Sequence, residues 1–203
     1  MGKGKRGFMK YISIDLEATG LEEHAYMIEF AAVPVDTEMM SIDTNNTYHS
    51  YIKCPPFEEL KPELNEWVIK NNESLILKAN SSGIEIFDFK KSFINYLESD
   101  ELKSYRNPKF NNFTILGKSL NSIDIPFLNR DLGWETMKNI FHHQVLDVSS
   151  VTRLAIDLKK IPKECSSGSY LSKYFGFGEV AHTALEDSIV TAKIYFKLLE
   201  ILN

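Results

Sequence analysis

The sequence predicts an α/β domain in which a mixed sheet is covered by helices. Three observations carry this: an alternating strand opens the chain, two further strand-like runs follow closely, and the remainder passes between helix-spaced and short apolar segments. In residues 11–17, Ile12, Ile14 and Leu16 fall on one face and Ser13, Asp15 and Glu17 on the other. Thr19-Gly20 is a turn signal. Residues 27–35 form a second apolar run, with Pro34 expected near its end or at an edge. Residues 47–52 read as a third strand, and three strands with short connections predict an antiparallel meander. Helices follow over 60–69 and, on the spacing of Ile86, Phe89, Phe93 and Leu97, over 84–97. Residues 113–116 are a short strand ending in Gly117. Residues 124–132 read as a helix that tolerates Pro126 only in its first turn. Asp147 can cap a helix through Val151, Leu154 and Leu158. The last helix, 184–202, carries an apolar seam of Leu185, Ile189, Ala192, Phe196 and Leu199.

The bulk numbers bound the class. With 203 residues, 43% apolar and 25% charged, the chain suffices for one domain with a real core. Residues 1–9 form a basic, Gly-rich arm, expected to be flexible, and 10–203 the domain. No stretch reaches the roughly 18 apolar residues of a membrane span. Two distant cysteines, Cys54 and Cys165, make neither a disulfide framework nor a zinc set, and point to a reduced, cytoplasmic protein. The net charge of −5 argues against a tight grip on long nucleic acid. The 23 Lys and Arg show no dense cluster beyond Lys3-Gly-Lys5-Arg6.

Three constellations carry chemistry. Asp15 and Glu17 project from one strand face, and a divalent cation resolves their repulsion. Charged pairs of this kind usually face solvent, but here the opposite face is wholly apolar and a Thr-Gly turn follows. Asn121-Ser-Ile-Asp124 opens a helix, where a carboxylate is favoured by the helix dipole; taken alone, it reads first as a helix cap. His182-x-x-x-x-Asp187 shares its spacing with His142-x-x-x-x-Asp147. Geometry separates them. Five helical residues turn through about 500°, so a working pair needs its His on the loop before the helix. His182 follows Gly176 and Gly178 and precedes a long helix. Asp147 instead begins its own helix.

In this order, Asp15-Leu-Glu17-Ala-Thr19-Gly20, Asn121-x-x-Asp124 and His182-x-x-x-x-Asp187 resemble the three exonuclease motifs of the DEDD superfamily, histidine subgroup (DEDDh), from about Tyr11 to Leu199. The resemblance implies a ribonuclease H-like fold with a central five-stranded mixed sheet flanked by helices. It implies a metal-dependent 3′→5′ exonuclease acting on single-stranded DNA or RNA, or short oligonucleotides, and releasing nucleoside 5′-monophosphates. Asp15, Glu17 and Asp187 would bind a first Mg²⁺ or Mn²⁺, Asp15 would bridge to a second, and Asp124 would act through water. His182 would be the general base. Ala18, Thr19, Gly20 and Leu21 would meet the terminal nucleotide, with Asn121 and Trp67 near the substrate; Tyr170, Tyr174 and Phe175 are stacking candidates. The stretch 55–71 is similar to the proofreading branch, whereas Leu146-Asp147-Val-Ser-Ser is similar to oligoribonucleases. A non-catalytic nucleic-acid-binding or scaffold protein and a small-nucleotide metal phosphodiesterase are the competing readings. A homodimer, a polymerase or another protein partner are left open by the sequence.

Overall fold

The computed structural model describes residues 9–178 and 182–203. The expected arm therefore lies outside the described residues apart from Met9. That residue is already tied to the domain: its N–H donates to Thr37 Oγ1 (3.1 Å) and its carbonyl accepts the Thr37 hydroxyl (2.6 Å).

Strands β1 (Lys10–Ala18) and β2 (Met27–Asp36) pair antiparallel along their whole length, with an irregularity between Glu17 and Ala18. β3 (Ser41–Ile42) and β4 (Tyr48–Tyr51) share the outer edge of β2, β3 against Val35 and Asp36, β4 against Glu29 to Ala32. β5 (Ile115–Gly117) joins the other edge of β1 in parallel, and β6 (Leu146–Asp147) extends the sheet in parallel again. Six strand segments thus occupy five positions of a mixed sheet. Pro34 lies near the end of β2, at the seam between β3 and β4. Its carbonyl accepts the Asp43 N–H at 2.9 Å, but without an N–H of its own it cannot return the bond, and the β3 ladder stops there.

Helices cover both faces. α3 (Ile86–Leu97), α4 (Asp124–Asp131) and α5 (Trp134–Ile140) pack Phe89, Phe93, Leu128 and Met137 against Ile12, Ile14, Leu16 and Phe30. Phe30 meets Phe93 edge-on at 4.8 Å, a favoured aromatic geometry. On the other face, α6 (Val148–Asp157), α7 (Gly168–Tyr174) and α8 (Ala184–Leu202) pack over Tyr11, Val35 and Leu116. α1 (Phe57–Leu60) and α2 (Glu66–Ser82) form a third cluster with Ile28.

Two expectations are corrected. The helix over 60–69 is two helices: α1 ends at Leu60, a 3₁₀ turn spans Lys61–Glu63, and Asn65 caps α2 by accepting the Val68 N–H at 2.9 Å. Beyond 69 the segment is rich in Asn, Ser and Lys without a clean apolar stripe, so periodicity stops short of Ser82. The buried face of α8 is also broader than the expected seam and extends to Ala184, Ser188, Thr191, Tyr195 and Leu198. Of the expected residues, Ala192 and Phe196 are buried, while Leu185, Ile189 and Leu199 are half-buried. The small Ser188 lets the helix approach the sheet, and the Ser13 hydroxyl on β1 donates to its carbonyl at 2.8 Å. This contact fixes the helix that carries Asp187.

Asp147 caps α6 as expected, accepting the Ser149 N–H at 2.8 Å. It also accepts the N–H groups of Ser119 (3.1 Å) and Leu120 (3.0 Å), where Ser119 holds a left-handed φ of 57°. One carboxylate therefore joins the start of α6 to the turn after β5. Asp147→Ala removes a cap and leaves two further donors unanswered, so chemical denaturation should show a loss of about 2–3 kcal/mol. Unaltered stability would mean that the turn holds itself.

Candidate active site

The carboxylates meet at one end of the sheet. β1 presents Asp15 and Glu17, α4 begins with Asp124, and the first turn of α8 supplies Asp187. Together with Leu16, Trp67, Lys118, Ser119, Ile123, residues 167–169 and His182 they line a cleft of about 560 Å³. Asp124 is the first helical residue, not the cap, which is Ile123; its side chain is 4% exposed. Glu17, His182 and Asp187 place ligand atoms within 4.8 Å of one another.

This crowding has electrostatic consequences. Burial, followed by the charges of Asp124, Glu17 and Asp187, holds the Asp15 carboxyl well above its ordinary range, and Lys118 opposes the shift. Burial, then Asp187 and Glu29, pushes Glu17 up to about 7, with an Asn72 hydrogen bond opposing. Burial also raises Asp124 to about 7, against backbone hydrogen bonds from Asp124 and Leu16. A divalent cation fits such a donor set, because it removes the repulsion that keeps the acids protonated.

His182 has a left-handed φ of 53°, and its exposed ring stands edge-on to Trp67 at 5.5 Å between centroids. His142 lies elsewhere. It stacks on His143 at 4.4 Å and lines a separate pocket with Trp134 and Phe141. Of the expected substrate contacts, Trp67 reaches the cleft. Ala18, Thr19, Gly20, Leu21 and Asn121 are not among its lining residues. Thr19 is buried and closes the loop after β1: its N–H donates to the Tyr26 carbonyl and its Oγ1 accepts the Tyr26 N–H, both at 2.9 Å. Leu21 projects from that loop, 70% exposed. Tyr170 and Tyr174 are exposed on α7, and Phe175 packs on the second core.

Sequence reasoning missed several supporting residues. Glu29, opposite Glu17 on β2 and 1% exposed, accepts the first N–H of α8, from Ala184, at 3.1 Å and pairs with His49. Asn72, 2% exposed on α2, donates to the Ala18 carbonyl at 3.3 Å. Glu29 is the one acidic residue in an otherwise apolar strand run, a visible signal; Asn72 lies in the segment where no helix was expected. Lys159, Lys160 and Lys163 surround a shallow hollow with Ile156, Ile161 and Pro162. The expectation of no further basic cluster overlooked them because Ile161-Pro162 interrupts the run.

The mixed sheet, with its carboxylate-lined cleft at one end, has a ribonuclease H-like fold. Residues 12–81, which hold Asp15 and Glu17, match the RNase_T exonuclease family. A search of curated proteins by sequence finds no match. Among solved structures, the chain is similar to the nuclease domain of 3′hExo, a DEDDh family member bound to rAMP, at 18% identity and a TM-score of 0.68, covering 96% of this chain and 94% of that one. It is similar to cell-death related nuclease 4 (CRN-4) at 18% identity and a TM-score of 0.65, over 96% of this chain and 64% of that one. It is similar to zinc-bound E. coli ExoI in complex with ssDNA at 18% identity and a TM-score of 0.69, over 96% of this chain and 42% of that one. At such identity these likenesses are of fold. The likeness is therefore of sequence over residues 12–81, to the exonuclease family, and of fold over the whole chain, to DEDDh nucleases among others. Among the described residues no helix is long and apolar enough to cross a membrane.

Raised carboxylate values set a testable sign. Glu17 and Asp124 stand near 7 when folded, against 4.5 and 3.8 ordinarily. The folded state binds these protons more tightly, so their contribution is present at low pH and is lost as pH rises toward 7. Metal-free protein should melt lower at pH 7.5 than at pH 5.5, with a flatter slope in Glu17→Gln. Mn²⁺ should raise the melting temperature at pH 7.5, adding about 2.7 kcal/mol of stability at a hundredfold excess over Kd. A melting temperature at pH 7.5 indifferent to millimolar Mn²⁺ would count against a cation site.

Proposed function

We propose that this protein is a 3′→5′ exonuclease that hydrolyses the last phosphodiester bond of single-stranded DNA or RNA and releases nucleoside 5′-monophosphates. The observation that carries the reading is the convergence of Asp15, Glu17, Asp124, Asp187 and His182 on one cleft from three separate segments. A purely binding surface has no use for clustered carboxylates beside phosphate. Two divalent cations, Mg²⁺ or Mn²⁺, would be held by Asp15, Glu17 and Asp187, with Asp124 acting through water; when bound they supply positive charge to the phosphate and the attacking water.

The chain's own residues do the rest. His182, outside the helix and exposed, takes a proton from the water. Its contact with Trp67 limits where the ring can go. Thr19 holds the loop in shape, so that Leu21 can wedge against the terminal base while backbone near Ala18 receives the 3′-OH. A strand with a 3′-phosphate would be refused there.

The 4.8 Å grouping of His182 with Glu17 and Asp187 favours a second role, that of a metal ligand. One set of measurements separates the two. As a base, His182→Ala lowers kcat by roughly 10² to 10⁴ at an unchanged half-saturating Mn²⁺ concentration; as a ligand, it shifts that concentration. Asp15→Ala and Asp187→Ala should be inactive, and His142→Ala should turn over like wild type. Digestion of 5′-labelled DNA and RNA ladders with Mn²⁺ tests the activity itself. A ladder shortening from the 3′ end is expected, and full activity in Asp15→Ala would defeat the assignment.

Substrate length gives a further expectation. With a net charge of −5, the protein should release the strand between cuts and favour single-stranded ends or short oligonucleotides. A trapping competitor added after the first cut should stop digestion. Continued digestion of long strands past the trap would contradict it.

A further inference from the structure

Lys118 has no part in the mechanism above, yet it lines the cleft. It follows Gly117 at the end of β5 and is the only Lys or Arg among the lining residues. Its charge reaches Asp15, but among the described residues it forms neither a hydrogen bond nor an ion pair within 4.0 Å. A half-buried ammonium left unpaired beside four acids is placed for something other than the acids.

Two features keep it there. The turn that carries it is pinned by the Asp147 bonds to Ser119 and Leu120 and by a 3.0 Å contact between the Ser119 and Ser149 hydroxyls. The side chain lies over Gly168: a Cβ at that position would stand 1.9 Å from Nζ and 2.7 Å from Cε, with no other atom within 3 Å. Gly168 has no unusual backbone angle that would require glycine, so its bare Cα serves as a bed for the lysine. The hydroxyls of Ser167 and Ser169, 3.1 Å apart, flank the same wall.

The cleft therefore has two unlike sides. Glu17, His182, Asp187 and Trp67 gather on one, and β5 sets Lys118 on the edge of β1 away from β2. A strand whose terminal nucleotide lies on the aromatic side has the wall bearing Lys118 open to its next phosphate. We infer that Lys118, with Ser167 and Ser169, forms a subsite for the backbone phosphate on the 5′ side of the bond to be cut. The inference rests on the exonuclease reading. Ammonium suits this role: it meets a phosphate oxygen as a compact point charge and needs no fixed fork geometry. A hydroxyl pair adds donors that read neither base nor sugar.

The test uses the full chain, Mn²⁺ and 5′-labelled single strands carrying one neutral methylphosphonate at the linkage 5′ to the scissile bond. Lys118→Met should raise KM about tenfold on the natural strand, with kcat within about threefold. Its salt slope should flatten by about 0.7, the value of one phosphate contact on a single strand. The methylphosphonate should weaken wild type about tenfold and leave Lys118→Met unaffected. Lys118→Arg should recover part of the loss. Gly168→Ala, which dislodges the ammonium while favouring the helix, should raise KM in wild type and have no effect in the Lys118→Met background. Wild type that digests the strand while Lys118→Met keeps its KM, salt slope and methylphosphonate penalty overturns the subsite alone. Wild type that neither shortens nor binds the strand overturns the function on which it rests.

Discussion

Mutual repulsion among Asp15, Glu17, Asp124 and Asp187 is the constraint around which the molecule is arranged. Carboxylates brought together away from water favour their neutral forms, and a chain free to relax would separate them. They stay together because each is carried by an element anchored elsewhere. Asp15 and Glu17 belong to a strand paired on both edges, with Ile12 and Ile14 in the main core. Asp124 starts a helix fixed by Phe127 and Leu128. Asp187 rides on α8, docked through Ser188 against Ser13. Core packing supplies the force, and the resulting charge density suits a divalent cation.

The bracing is polar as well as apolar, and it lies one layer behind the site. Glu29 caps α8 from β2, a strand apart from Glu17, so the helix end beside His182 is held by the sheet itself. Asp147 does the same for the turn bearing Lys118 and Ser119. Arg130 on α4 donates to the carbonyls of Glu23 and Ala25 at 2.8 and 2.7 Å, tying down the loop that displays Leu21. Charged groups hold backbone atoms more firmly than neutral partners would, since charge-assisted hydrogen bonds are the stronger kind.

The carboxylates were legible because strand alternation puts Asp15 and Glu17 on a common face, and because a helix start marks Asp124 and Asp187. The sheet was legible through the apolar run of β2. The short helices α5 and α7 were not, since seven residues hold too little period to detect. Nor was α2 beyond Ile69, where Asn72, Asn71 and Lys70 break any stripe and Asn72 turns out to be buried against Ala18. The α8 seam was legible in Ala192 and Phe196 but not in Ser188 or Thr191, because side-chain size as well as hydropathy decided which residues could reach the sheet. Lys118 and Gly168 are 50 residues apart and meaningless singly; only tertiary proximity shows that one lies on the other.

That final helix also sets the order in which a dangerous surface comes into being. Asp15 and Asp187 are separated by 172 positions (187 − 15), and no local folding event can unite them. Until α8 docks, the sheet edge carries three acids without the fourth and without the histidine turn. A chain whose α8 has come loose therefore lacks an assembled acidic cleft. Completion of the fold and assembly of the acidic cleft are one step.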